Sequence, residues 1–438
     1  MAATAVAVIL VVIVAAAGAA AYLALSSSGG SPSSSTTSSG APSTSSTLGT
    51  TASSSTSPPT TTSSVSTSPS TGSGSSYGAT LETLIVSNDT LEQGSVNPPN
   101  NGSLALNVND VIRDPANGLI YASTDATTSS SIIDSVVAIS PSTNKIVANV
   151  TLPSGWGPLG MALDSQNGYL YVVDGGNDSI GVIDTASNTL LASKTIPAPV
   201  TSVGVSAGVC VILCSPTLSA IAFDPDNGYL YVGSGSGLYS GPDPYIAIVS
   251  ASTGQIVGNV SLGAASDYIP AVTYDSSNKM VYAANCPLSS QGNVTVISTQ
   301  TNSVVANIPV GNTPTDVAVD PTNGMIYTVN SGSGTLSVID PTSDRVVGNI
   351  TMSNVILISG LAVSGTTPNN IAFDPSNGYL YVTSANGLIA VINPSGGAVI
   401  GGIAASSLNL DHIVFDPSNN ELYVSDFFSG TLSVVSTS

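Results

Sequence analysis

Apolar residues in most of this chain come in short runs separated by turn formers. Ile371-Ala372-Phe373 and Tyr379-Leu380-Tyr381-Val382 flank Asp374-Pro375-Ser376-Asn377-Gly378. The flanks are β-branched and aromatic, as strands prefer. Asp-Pro opens the turn, because Pro fixes φ and Asp bonds the backbone two residues on; Asn-Gly closes it, because both tolerate φ > 0. The unit therefore predicts strand, tight turn, strand. Aligned on its turn Asp, it recurs at Asp114, Asp164, Asp224, Asp275, Asp320, Asp374 and Asp416. Each copy runs on into a second hairpin, as in Thr335-Leu336-Ser337-Val338-Ile339-Asp340 followed by Arg345-Val346-Val347-Gly348-Asn349-Ile350. Self-similarity at about 40–50 residues marks a propeller or an array. Four short strands per unit, seven times over, predict an all-β, seven-bladed β-propeller of four-stranded blades over residues 79–438. The last copy stops after Leu432-Ser433-Val434-Val435, one strand short. The segment around Thr83-Leu84-Ile85-Val86, which precedes the first full unit, is predicted to supply that strand and latch the ring, leaving no open end.

The unit Pro-x-x-Ile-Ala-x-Asp-Pro-x-Asn-Gly-x-Leu-Tyr-Val, followed by Val-Ile-Asp-x-x-x-Asn-x-Val-Val-x-x-Ile-x-Val, resembles the YVTN-type β-propeller repeat of archaeal and bacterial surface-layer and secreted proteins. Asn285 and Asn330 stand at the position of that repeat's terminal Asn. The resemblance covers the whole region after residue 78 and implies the propeller fold and a place at the cell surface. Sugar-phosphate lactonases, a related propeller group, use basic and His residues at the ring centre; with two Arg and one His this chain departs from them.

Residues 1–25 hold an uncharged apolar run, Ala2 to Leu25, long enough to span a bilayer as a helix. A signal peptide is the competing reading, but it would want a basic start and a shorter apolar core. The run also resembles the mature end of an archaeal type IV pilin-like subunit, which would place it in a filament. Residues 26–78 are nearly all Ser, Thr, Gly and Pro, have almost nothing to bury, and read as an extended stalk, either bare or O-glycosylated. Charged residues are 7% of the chain, against about 25% in ordinary proteins, and the net charge is −20. A nucleic-acid partner needs a basic face and is excluded. N-x-S/T sequons stand at Asn88, Asn101, Asn149, Asn177, Asn259, Asn293 and Asn349. They matter only outside the cytoplasm. Three of them, Asn149, Asn259 and Asn349, share one repeat position. Cys210 and Cys214 could pair in a loop; with Cys286 and the lone His412 they match no zinc spacing.

Two groups of residues are candidates for binding. The constant turns open on one face, and all the length variation gathers on the other, which is where repeat proteins often bind. There Trp156, Tyr239, Asp243, Tyr245, Asp267 and Tyr268 combine aromatic platforms with carboxylates, a pairing that suits sugar rings; the alternative is that these aromatics staple loops to the ring. The position four before each turn Asp approaches the channel mouth and holds Asp110, Gly160, Ala220, Ala271, Asp316, Asn370 and His412. His412 and Asp110 belong to the last and first blades, so they should meet, either as an acid–base pair or as a hydrogen bond that closes the ring. Asp174-Gly175-Gly176-Asn177-Asp178 could hold Ca²⁺ or be a bare turn. No metal or cofactor is assigned. These features point to a non-catalytic binding, adhesion or surface-structural propeller, anchored in the membrane by its N-terminal helix and carried on a glycosylated stalk. Glycans or neighbouring surface proteins are its partners, and it could form a homo-oligomer or filament. The alternatives are a subunit of a pilin-like filament, and an extracytoplasmic hydrolase or lyase working at the channel mouth.

Overall fold

The computed structural model describes residues 81–85, 105–127, 132–176, 179–191, 196–197, 218–234, 244–262, 268–287, 291–352, 354–356, 362–364, 366–405, 409–427 and 430–437. The apolar run, the stalk, Asn88, Asn101, Asn177, Cys210, Cys214, Tyr239, Asp243 and Asp267 lie outside the described residues. Among the described residues, no helix is long and apolar enough to cross a membrane.

The described chain is an all-β propeller of seven antiparallel blades. Blade 1 is Ala105–Arg113, Ile120–Thr127, Ile132–Ser140 and Lys145–Thr151, in that order from the axis outward. Blades 3 to 6 repeat this order, beginning with Leu218–Asp224, Tyr268–Asp275, Pro314–Val319 and Pro368–Asp374. Blade 2 begins with Pro158–Asp164, and its outer position is split between Thr189–Leu190 and Ile196–Pro197, which both pair with Ser179–Asp184. Blade 7 has Leu410–Asp416, Glu421–Asp426 and Thr431–Ser436 from the C-terminus. Its fourth strand is Leu81–Ile85, antiparallel to Thr431–Ser436 with Leu84 opposite Leu432. The N-terminal latch is therefore present. The connection between blades 5 and 6 contains a small hairpin of Asn354–Ile356 and Ala362–Ser364.

Each turn Asp works as expected. Its carboxylate accepts the backbone N–H two residues on, for example Ala116 to Asp114 at 2.8 Å and Ser376 to Asp374 at 2.8 Å. A second feature was not read from the repeat. Tyr121, Tyr171, Tyr231, Tyr282, Tyr327, Tyr381 and Tyr423 occupy one register in the second strands and are fully buried. In six of the blades the turn Asn, four residues earlier, donates its amide to that hydroxyl, from 2.8 Å at Asn278 to 3.1 Å at Asn227 and Asn323. The hydroxyl then reaches the next blade. Tyr121 donates to Asn188, Tyr231 to Asn302, and Tyr423 of blade 7 to Asn144 of blade 1. Buried phenols satisfied in this way join neighbouring blades without charge. The hydrophobic core is likewise partitioned between neighbours. One cluster joins Val108, Ile120 and Val137 of blade 1 to Tyr423, Leu432 and Val434 of blade 7, so the ring is packed shut as well as hydrogen-bonded shut.

Candidate functional site

The innermost strand of every blade carries a register shift near the position four before its turn Asp, for example between Val108 and Asp110, Pro314 and Asp316, and Leu410 and Ile413. A bulge of this kind re-aims side chains. Two consecutive residues from each strand consequently line the axial channel, as Asp411 and His412 do in blade 7 and Asn369 and Asn370 in blade 6. The cavity measures ≈ 440 Å³ and draws its lining from all seven innermost strands. Its charged and amide side chains are distributed lopsidedly. Blades 5, 6, 7 and 1 contribute Asp316, Asn370, Asp411, His412 and Asp110, whereas blades 2, 3 and 4 offer Gly160, Ala220 and Ala271.

The structure brings the four predicted mouth residues together. His412 Nδ1 lies 3.0 Å from Asp110 Oδ1 and 3.5 Å from the Asn370 amide. These residues also bind the neighbouring blade's backbone. Asp110 accepts the N–H of Met161 at 2.7 Å, Asp316 that of Ile371 at 2.9 Å, and Asn370 that of Ile413 at 3.3 Å. One layer along, the Asn369 amide donates to Asp411 at 3.0 Å. The ring of blades is thus stitched at its axis by side chains that each span an inter-blade crevice.

Electrostatics follow from this crowding. Burial disfavours the charged ring of His412, but Asp110, Asp411 and Asp316 outweigh it and raise its pKa to about 10. Burial pushes Asp316 up to about 6, against the opposing Ile371 N–H and His412. It pushes Asp411 up to about 6 as well, with His412 opposing and the other carboxylates assisting. Burial also raises the Tyr268 phenol well above its ordinary value, with Cys286 and then Asp411 adding to it. Tyr268 lines the same channel. The site therefore holds an imidazolium within a set of carboxylates. Among the described residues no group of three or more His, Cys, Asp or Glu side chains is arranged to hold a metal ion. Cys286 is a buried thiol that interacts with Tyr268.

The rim aromatics need correction. Trp156 was expected on an open loop, but it is 6% exposed and packs with Val150, Leu152, Met161 and Ile183 between blades 1 and 2. Its backbone is held by Asp134, whose carboxylate accepts the N–H of Gly155 at 2.8 Å and of Trp156 at 3.0 Å. Space for the indole comes from Gly181, where a Cβ would come within 2.6 Å of the ring. Tyr245 opens the strand Tyr245–Ser250, is 8% exposed, and belongs to the core between blades 2 and 3. Neither ring offers a face for stacking. Asp174 is also spoken for, since its two carboxylate oxygens accept Gly176 N–H and Ser179 Oγ–H, both at 2.9 Å, as a bare turn does.

No family model matches the chain, and no curated protein matches it. Among solved structures, the chain is similar to a chain of Kuenenia stuttgartiensis hydrazine synthase, with 15% identity and a TM-score of 0.58. The match covers 79% of this chain and 99% of that one. At that identity the likeness shows the propeller fold.

Proposed function

We propose that this chain is a non-catalytic binding propeller of the YVTN type, displayed at the cell surface, with the lopsided mouth of its channel as the ligand contact. The observation that supports this reading best is the placement of His412, whose Nδ1 lies 3.0 Å from Asp110 Oδ1 in a channel that it shares with Asp411 and Asp316. An imidazole with a pKa of about 10 is already protonated at neutral pH, so it is no general base there and a weak general acid. Among the described residues its ring partners are Asp110 and Asn370, and neither is a nucleophile paired to a base. Asp110 and Asp316 are committed to backbone N–H groups of the next blade. Asp411, with one oxygen held by Asn369, and Tyr268 across the channel are the polar groups best placed to meet a hydroxylated ligand such as a glycan. Surface display is supported by the apolar run, the Ser/Thr-rich stalk, the sequons and the resemblance of the repeat.

An intact-glycan array run beside a broad hydrolase and lyase screen tests the proposal. Retained glycan without turnover is the expected result, with retention lost in Asp411→Asn. Turnover that disappears in His412→Gln would favour the enzyme reading instead.

A further inference from the structure

Among the described residues, no further strand pairs with the fourth strand of blades 1, 3, 4, 5 or 6, although that of blade 6 lies against the hairpin strand Asn354–Ile356. Each such strand exposes an aliphatic side chain: Val147 at 53%, Val257 at 48%, Val305 at 49%, Val347 at 58% and Ile400 at 46%. Exposed apolar edges invite pairing with other chains, and proteins usually guard them with charge, Pro or a covering element. This chain has little charge to use. Two residues beyond the aliphatic position, on the same face of the strand, blades 1, 3 and 5 carry Asn149, Asn259 and Asn349, all exposed. Each begins a sequon whose hydroxyl residue is Thr151, Ser261 or Thr351, also exposed. In blade 4 the same register reads Asn307-Ile308-Pro309: Pro, which has no N–H to offer an incoming strand, replaces the hydroxyl residue. This register holds a sequon in blades 1, 3 and 5 and a Pro in blade 4; in blade 6, where it reads Gly402-Ile403-Ala404, it holds neither.

We propose that Asn149, Asn259 and Asn349 carry N-linked glycans that cover the open edges of blades 1, 3 and 5. The proposal rests on the surface-display reading. In each transfer, Asn Nδ2 bonds to the anomeric carbon of an oligosaccharide carried on a lipid pyrophosphate. The bond from that carbon to the phosphate oxygen breaks, the lipid pyrophosphate leaves with the electron pair, and the amide nitrogen loses one proton. Asn293 is the internal control. It is half-buried where the other three are exposed, and its side-chain oxygen accepts from Asn285 Nδ2 at 2.7 Å and from Thr295 Oγ1 at 3.2 Å; the Asn349 oxygen also accepts a bond, from Ser337 Oγ at 2.9 Å, so exposure is what sets Asn293 apart.

The test is glycopeptide mass spectrometry on the full chain from its own cells, beside protease shaving of the intact cells. Shaving should release propeller peptides, with Asn149, Asn259 and Asn349 occupied and Asn293 bare. A shaved, surface-exposed chain with the three asparagines bare, or with Asn293 equally occupied, overturns the inference alone. A chain resistant to shaving until lysis overturns surface display and this inference with it. The N149Q/N259Q/N349Q variant should self-associate in sedimentation at concentrations where the parent is monodisperse. Unchanged sedimentation of that variant would overturn the covering role.

Discussion

His412 Nδ1 lies 3.0 Å from Asp110 Oδ1, across the seam where blade 7 meets blade 1. A second contact crosses the same seam, because Arg113 Nε binds Asp416 Oδ1 at 2.5 Å, 303 residues away in sequence. With Tyr423 donating to Asn144, three side-chain contacts and one apolar cluster close the ring where the C-terminal strands of blade 7 meet blade 1. The seam unites the two ends of the propeller, so interactions there hold the whole ring rather than one hairpin.

Arg113→Ala should therefore be costly. The Asp416 side chain is 0% exposed, and removing its partner leaves a buried carboxylate without a countercharge, held by the N–H and hydroxyl of Ser418. Breaking a buried pair costs about 3 kcal/mol or more, which urea unfolding would show as a lower midpoint at unchanged slope. Lys279→Ala, which removes an exposed partner of Asp226, should leave the midpoint in place.

The pH dependence of stability follows from the channel. The pKa of His412 is raised to about 10, so its contribution is complete below about 6.5 and is lost as pH rises through 10. Asp316 and Asp411 are raised to about 6 by burial. Folding thus favours their protonated forms, and the penalty for ionising them disappears as pH falls from about 6 to about 4. Asp184, Asp226 and Asp340 are held below the ordinary value by hydrogen bonds, so their contribution is lost only in stronger acid. The melting temperature should climb from pH 9 to a maximum on the acid side, near pH 4–6 by these values. A maximum at pH 8 or above would contradict this balance.

Leu84→Pro tests the latch. Leu84 pairs with Leu432 within the strand Leu81–Ile85 that the N-terminal segment gives to blade 7. Pro removes a ladder donor and is tolerated poorly inside a strand. The melting temperature should fall by several degrees, and protease cutting should begin at the C-terminal strand Thr431–Ser436. An unchanged melting temperature would mean the ring closes without this strand.

Trp156→Ala should act on stability and spare ligand contact at the channel. The indole fills the space beside Gly181 between blades 1 and 2. Truncating a buried aromatic costs about 3–5 kcal/mol, readable in the same unfolding assay.

The difference between Trp156 and His412 shows how far the sequence could be read. The place of His412 follows from counting back from a turn Asp, because every innermost strand repeats one geometry. Asp110, Asp316 and Asn370 were placed in the same way. The latch was legible because a four-stranded repeat ends one strand short. Trp156 and Tyr245 lie at connections, where the repeat gives no register and aromatic content reads as exposure. Their burial depends on partners distant in sequence, such as Gly181 against Trp156. The Tyr staples were visible as a recurring Tyr four residues after each turn Asn, but their acceptors, Asn144, Asn188 and Asn302, sit in the following blade. The bulges that turn Asp411 as well as His412 into the channel are a backbone feature with no residue signature.

The most direct test of the central claim uses the chain's only histidine. With ¹⁵N-labelled histidine, its ring nitrogens give one titration curve free of overlap. A structural imidazolium held by Asp110, Asp411 and Asp316 should remain protonated through neutral pH and titrate around 10. A ring that is neutral at pH 7 would contradict the account and return His412 to the role of a candidate general base.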